Sequence, residues 1–140
     1  ASEAKHAEVA ALGPDLILPR SPDNLRAALG DEKITVVADV VGGPLWPQLI
    51  DVLERGGRYT CSGAIAGPMV ELDLRTFYLR DLTFTGSTVI PPHIFPDVVT
   101  YIERGELRPM LAATYPLRDL PKAQAAFIDK AHAGNIVVVP

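Results

Sequence analysis

Three short segments carry the residue types best suited to ligand chemistry. Asp39-Val40-Val41-Gly42-Gly43 follows the apolar, β-branched run Ile34 to Ala38. Gly63 to Gly67, rich in glycine and alanine, follows Arg58 to Ser62, and Ser87-Thr88-Val89 ends the run Leu82 to Val89. In open parallel sheets ligands bind in the crevice outside the carboxyl ends of the strands. A carboxylate at Asp39 can accept a hydrogen bond there or cap the turn that follows it. Gly42 or Gly43, having no Cβ, lets backbone approach a ligand closely. The plain alternative is a set of ordinary strand-to-helix turns.

Other reactive residue types promise less. His6, His93 and His132 fall on a helix, in a proline-rich loop and at a helix end, and metal ligation needs a convergence that this spacing does not suggest. His132, near a helix C-terminus, simply favours the helix dipole. Cys61 is the only cysteine, which excludes an internal disulfide and every multi-cysteine zinc site. It reads as a buried, inert thiol among apolar neighbours. Trp46, just after Pro44, reads as a core or interface residue. Neither a catalytic residue nor a metal site is expected within the chain.

The elements that must position these segments follow from periodicity and breakers. Ser2 to Leu12 predicts a helix with Ser2 as N-cap, stopped by Gly13-Pro14. Leu16 to Leu18 predicts a short strand ended by Pro19, and Asp23 to Leu29 a short helix. Ile34 to Ala38 predicts a strand covered on both faces. Leu45 to Leu53 predicts a helix with Leu45, Leu49, Ile50 and Leu53 on its apolar side, ended by Gly56-Gly57. Arg58 to Ser62 and Leu82 to Val89 predict strands, with an extended piece at Val70 to Leu74 and a short helix at Arg75 to Leu79 between them. Phe95 to Arg104 predicts a helix whose core face is Phe95, Val98, Val99 and Ile102. An extended piece at Leu107 to Leu111, a helix at Leu120 to Ala131 and a closing strand at Ile136 to Val139 complete the chain.

Strands alternating with helices imply an α/β protein with a parallel sheet, and 140 residues suit one domain or part of one. The net charge of −4 lacks the basic excess of a nucleic-acid surface. No apolar stretch approaches the roughly 20 residues of a membrane helix. With no signal pattern at the start, a cytoplasmic location is expected and neither a membrane nor a nucleic acid is expected as partner.

In a doubly wound nucleotide fold, the first strand feeds a glycine-rich turn whose following helix binds the pyrophosphate. No G-x-G-x-x-G occurs in this sequence. The chain also opens at Ala1, already in a helical pattern, as expected of a segment cut from a longer protein. The expected architecture is therefore a partial doubly wound (Rossmann-type) parallel sheet lacking its first strand, glycine loop and helix.

The order of the remaining pieces resembles the medium-chain dehydrogenase/reductase family, of the quinone oxidoreductase or zinc-type alcohol dehydrogenase kind. Ile34 to Gly63 (ITVVADVVGGPLWPQLIDVLERGGRYTCSG) is similar to that family's fourth strand, loop, helix and fifth strand. Leu82 to Val89 resembles its sixth strand with the G-S-T after it, and Gly134-Asn135-Ile136-Val137-Val138-Val139-Pro140 its closing strand. Ala1 to Leu18 resembles the piece after its second strand. Each motif is weak alone, and the ordered set is fairly specific.

The resemblance implies hydride transfer between a nicotinamide cofactor and a quinone, carbonyl, alcohol or activated alkene. It places Asp39, Val41, Gly42 and Gly43 by the nicotinamide ribose, and Ser62, Gly63, Ala64, Ser87, Thr88 and Val89 around the nicotinamide. Ser2 and Lys5 resemble the hydroxyl and cation that pair the 2′-phosphate of NADP, which points to NADP with NAD as the alternative. Asn135 resembles a position near the cofactor in some NADP-dependent relatives. The alternative for Ser2 and Lys5 is an N-cap and a solvated lysine, and for Asn135 a polar strand end. The substrate domain, and zinc where it is used, would lie outside this segment, so the segment alone is expected to be inactive. A homodimer through Leu82 to Val89 is expected, because pairing satisfies an exposed strand edge. A non-catalytic module that borrowed the fold, and a methyltransferase, are the competing classes.

Overall fold

The computed structural model describes residues 5–140 and divides into two compact units. One runs from Arg20 to Ile90; the other joins the segment ending at Pro19 to Pro91–Pro140.

The first unit contains α2 (Leu25–Leu29), β1 (Ile34–Asp39), α3 (Trp46–Val52), β2 (Leu53–Cys61), α4 (Leu74–Leu79) and β3 (Thr83–Gly86). All three strands are parallel in the order β1-β2-β3, as expected for strands joined by helices. Val37, Val36 and Ala38 face Tyr59, Arg58 and Thr60 across the first ladder, and Tyr59 faces Phe84 across the second. Val37, Trp46, Ile50, Leu53, Tyr59 and Leu82 form the buried core, so α3 covers one face of the sheet. Val36 points the other way and is 48% exposed. The strand expected to be covered on both faces is thus covered on one among the described residues.

Local chemistry sets the helix ends. The helix expected from Asp23 starts at Leu25, because Asn24 caps it, its side chain accepting from the Ala27 amide at 2.9 Å. Asp73 caps α4 by accepting from the Arg75 amide at 2.9 Å, so the expected extended piece at 70–74 gives way to irregular chain and a helix start. The helix after the first loop ends at Val52, before Gly56-Gly57, because Leu53 already adopts an extended backbone and pairs with Ile34. Carbonyls of its last turn accept from Arg26 (Asp51 O, 2.7 Å) and Arg80 (Ile50 O, 3.3 Å; Asp51 O, 3.2 Å). The strand expected over Leu82 to Val89 is shorter, ending at Gly86, because β2 turns away after Cys61 and the ladder loses its partner.

The second unit contains α1 (His6–Ala10), α5 (Ile94–Glu103), β4 (Leu111–Pro116), α6 (Leu120–Asp129) and β5 (Asn135–Val139). β4 and β5 are parallel and form a two-stranded sheet. β4 falls where only Leu107 to Leu111 was expected to be extended; LAATYP lacks the β-branched run that marks β1 and β5. Leu16 to Leu18 forms no strand, being three residues with Pro14 and Pro19 close by on either side. Phe95, Val98, Val99 and Ile102, expected to face a core, are exposed. The α6 helix stops at Asp129 because Lys130 turns left-handed, at φ 52°.

Candidate functional site

The first loop of the Arg20–Ile90 unit is built around Asp39, which is 5% exposed. Its Oδ1 accepts from the amides of Val41 (2.7 Å) and Gly42 (3.1 Å). Its Oδ2 accepts from Gly42 N (3.2 Å) and from the Tyr59 hydroxyl (2.8 Å). An Asp side chain that bonds its own backbone two and three residues on folds the chain into an Asx-type turn. Burial pushes the Asp39 carboxyl upward, but hydrogen bonds from Val41, Gly42 and Tyr59 outweigh it and hold the pKa below the ordinary value. Burial, then Asp39 and Cys61, push the Tyr59 phenol far above its usual range, so it remains a protonated donor.

The second loop packs against the first. Gly43 N donates to Gly67 O (3.0 Å), Ala66 N to Val41 O (2.9 Å), and Ser62 N to Asp39 O (3.0 Å). Glycine is required at the crossing: Gly43 has φ 69°, and a Cβ there would lie 2.7 Å from Ala66 O. The close backbone approach expected toward a ligand is therefore made, at Gly43, to the chain's own second loop.

Beside the first loop lies a cleft of about 730 Å³. Val37, Ala38, Val41, Pro44, Leu45 and Leu49 supply apolar wall, and Arg20, Ser21, Asp23 and Gln48 supply polar groups. Gln48 Oε1 accepts from Leu25 N at 2.7 Å, which ties the α2 start to this wall. Apolar walls with a small number of polar groups suit an organic ligand.

The site residues expected from sequence divide into three sets. Asp39, Val41, Gly42 and Gly43 are brought against Ser62, Gly63 and Ala64 by the β1–β2 ladder. Ser87 joins them one strand further, its amide donating to Cys61 O at 2.9 Å, while Thr88 and Val89 are exposed beyond the end of β3. Lys5 and Asn135 belong to the other unit. The Lys5 ammonium donates to the carbonyls of Lys130 (2.9 Å) and His132 (2.6 Å), beyond the carboxyl end of α6. This engages the charge expected for a 2′-phosphate. Asn135 opens β5, its amide donating to Met110 O at 2.8 Å. Ser2 lies outside the described residues.

Arg20, Ser21, Gln48 and Tyr59 were not singled out in the sequence. For Tyr59 the signal was partial: a tyrosine within a strand needs a polar partner for its hydroxyl when buried, but the partner, Asp39, is set by the β1–β2 register. For Arg20 and Ser21 nothing local marks a cleft. Among the described residues, no three of His, Cys, Asp and Glu gather as a metal-binding group. No helix there is long and apolar enough to cross a membrane.

Residues 12–138 match the family model described as zinc-binding dehydrogenase. A candidate alcohol dehydrogenase from Sinorhizobium meliloti 1021, whose structure is solved, is 42% identical with a TM-score of 0.87, over 100% of this chain and 40% of that one. A cobalt- and zinc-bound thermostable alcohol dehydrogenase from Pyrobaculum aerophilum is 32% identical with a TM-score of 0.77, over 97% of this chain and 40% of that one. An acryloyl-coenzyme A reductase from Sulfurisphaera tokodaii is 28% identical over 114 residues, 80% of this chain and 33% of that protein. The chain thus spans well under half the length of these relatives.

Proposed function

The chain belongs to the zinc-binding dehydrogenase family, within the medium-chain dehydrogenases and reductases, and from that premise we propose that it is the cofactor-holding part of a nicotinamide-dependent oxidoreductase. The observation that carries the proposal is the cleft at the carboxyl end of β1, where Asp39 shapes the loop and apolar walls stand beside polar groups. Parallel α/β sheets take dinucleotides at this end of their strands. The cofactor, when bound, supplies the hydride chemistry. The chain's part is to hold the loop Val40 to Gly43 in one conformation, to present apolar surface from Val37, Val41 and Leu49, and to exclude water there.

The resemblance to alcohol dehydrogenases and to an acryloyl-coenzyme A reductase favours a carbonyl, an alcohol or an activated alkene as the hydride partner, with a quinone as a further member of that class. The described residues do not fit a zinc ion, and no step is assigned to one. NADP(H) is proposed over NAD(H) on Ser2 and Lys5. The Lys5 ammonium already donates to the carbonyls of Lys130 and His132, which leaves one of its three N–H donors for a 2′-phosphate.

Calorimetric titration of the chain with NADPH and with NADH tests the reading. Saturable binding of at least one is expected, with NADPH the tighter, and Lys5→Glu should reduce that preference. A folded chain that binds neither nucleotide contradicts the proposal. An unchanged preference in Lys5→Glu removes only the role of Lys5.

We also propose a homodimer along the outer edge of β3, where one side of the strand has no ladder partner among the described residues. Sedimentation of the chain and of Phe84→Pro, with folding checked by circular dichroism, should show a dimer weakened by the substitution. A well-folded wild-type monomer at high concentration contradicts it.

A further inference from the structure

The nucleotide cleft and the aromatic core meet at one hydroxyl. Tyr59 lies on the middle strand, outside the cleft wall, and its ring is fixed edge-on by Trp46 (centroids 5.9 Å, 80°) and Phe84 (5.4 Å, 62°). We propose that Tyr59 is a positioning residue for the cofactor: through Asp39 it locks the turn Val40 to Gly43 that forms part of the cleft.

The inference rests on the cofactor reading of the cleft, but its mechanical part does not. The Tyr59 hydroxyl donates to Asp39 Oδ2 at 2.8 Å, and Oδ1 accepts the Val41 and Gly42 amides at 2.7 and 3.1 Å. A carboxylate that accepts from both sides has little freedom to rotate without breaking a charge-assisted hydrogen bond. Two aromatic edges fix the phenol, the phenol fixes the carboxylate, and the carboxylate fixes two amides of the turn. Val41 and Gly42 then line the cleft, while Tyr59 does not. Gly42 and Tyr59 both line a smaller cavity of about 240 Å³. Asp39 lines the cleft as well, and Tyr59 does not, so any effect of losing the hydroxyl on the cofactor must pass through Asp39 and the turn.

The test uses Tyr59→Phe, which keeps the ring, Asp39→Asn, and the double substitution. Thr60→Val, one residue along β2 on the opposite face, is the control. Two readouts are taken on the full chain: hydrogen exchange at the Val41 and Gly42 amides, and the Kd for NADPH. Tyr59→Phe should speed exchange at both amides and weaken NADPH binding, each about tenfold, the scale of a hydrogen bond to a charged group. In the Asp39→Asn background the same change should alter neither by more than about twofold, because the charge-assisted bond from the phenol to a carboxylate is already gone. Asp39→Asn alone must loosen the same two amides, which keeps the proposal testable if Tyr59→Phe folds poorly. Unchanged exchange and Kd in Tyr59→Phe, or an undiminished effect in the Asp39→Asn background, overturns the proposal. If the wild-type chain does not bind NADPH, the cofactor reading fails by itself, and the exchange rates still decide whether Tyr59 locks the turn.

Discussion

The two units of the chain use similar elements and reach different degrees of burial. Around β1, β2 and β3, one helix closes a face of the sheet over Ile50, Leu53, Tyr59 and Leu82. Around β4 and β5, only Ala123 is buried among the described residues. There Phe127 is 61% exposed, and an apolar groove of about 500 Å³ lies between side chains of α6 and β5. Three strands with a closed face can hold a loop in one geometry, whereas two strands depend on a helix packed against them, and the α6 packing buries only Ala123 among the described residues. The unit with the closed core is the one that carries the cleft.

The largest test of that contrast is Leu53→Ala. Leu53 is 1% exposed, and truncating a leucine so deeply placed costs about 2–5 kcal/mol. Hydrogen exchange should show faster opening throughout Arg20–Ile90. If the amides there keep their protection, the closed core is not what stabilises that unit.

A sizeable effect is also expected in the weaker unit, at a backbone position. Gly134 has φ 91°, and a Cβ there would lie 2.6 Å from Met110 O, where the chain enters the β4–β5 ladder. Gly134→Ala should cost roughly 1–3 kcal/mol through strain, and amide exchange at Val137 and Val138 should accelerate. An unaffected ladder would show that the crossing relaxes freely.

The next effect depends on pH. Asp39 has a folded pKa below its ordinary 3.8, so its stabilising contribution is complete above that value. It is lost as the pH falls below 3.8 through the lowered folded value. In Tyr59→Phe one lowering hydrogen bond disappears while the burial stays, so the folded value moves up toward 3.8, the pH window of the loss narrows from its acid end, and the total loss shrinks. Urea midpoints between about pH 2 and pH 6 for both proteins measure this. Superimposable profiles would mean that Tyr59 does not tune Asp39. The smallest effect belongs to Phe127→Ala: with the ring mostly in solvent, stability should change by less than about 0.5 kcal/mol. A large loss would show that the α6 groove is more closely packed than its exposure indicates.

Most of the elements were legible in the sequence, and the contrast between the two units was not. ITVVA announced a strand by its β-branched run, whereas Asn24, which caps α2, did not stand out beside Asp23. Leu111–Pro116 was missed because its pattern is made by pairing with β5, a non-local event. The core face expected for α5 is exposed among the described residues, because an apolar stripe does not say whether anything covers it. At the site, Asp39 and Gly42 stood out by type and place. Tyr59 did not, because its role depends on a cross-strand neighbour. Lys5 illustrates the converse: a cation read by analogy as a phosphate ligand has two carbonyls within hydrogen-bond reach.

The central claim is that the loops at the carboxyl ends of β1 and β2 hold a nicotinamide dinucleotide. Amide chemical-shift mapping during titration with NADPH tests it most directly. The account predicts that Val41, Gly42, Gly43, Ser62, Gly63 and Ala64 shift together with a single Kd, while Val137 and Val138 stay in place. Shifts confined to the α6 and β5 groove, or none at saturating NADPH in a folded chain, would contradict it.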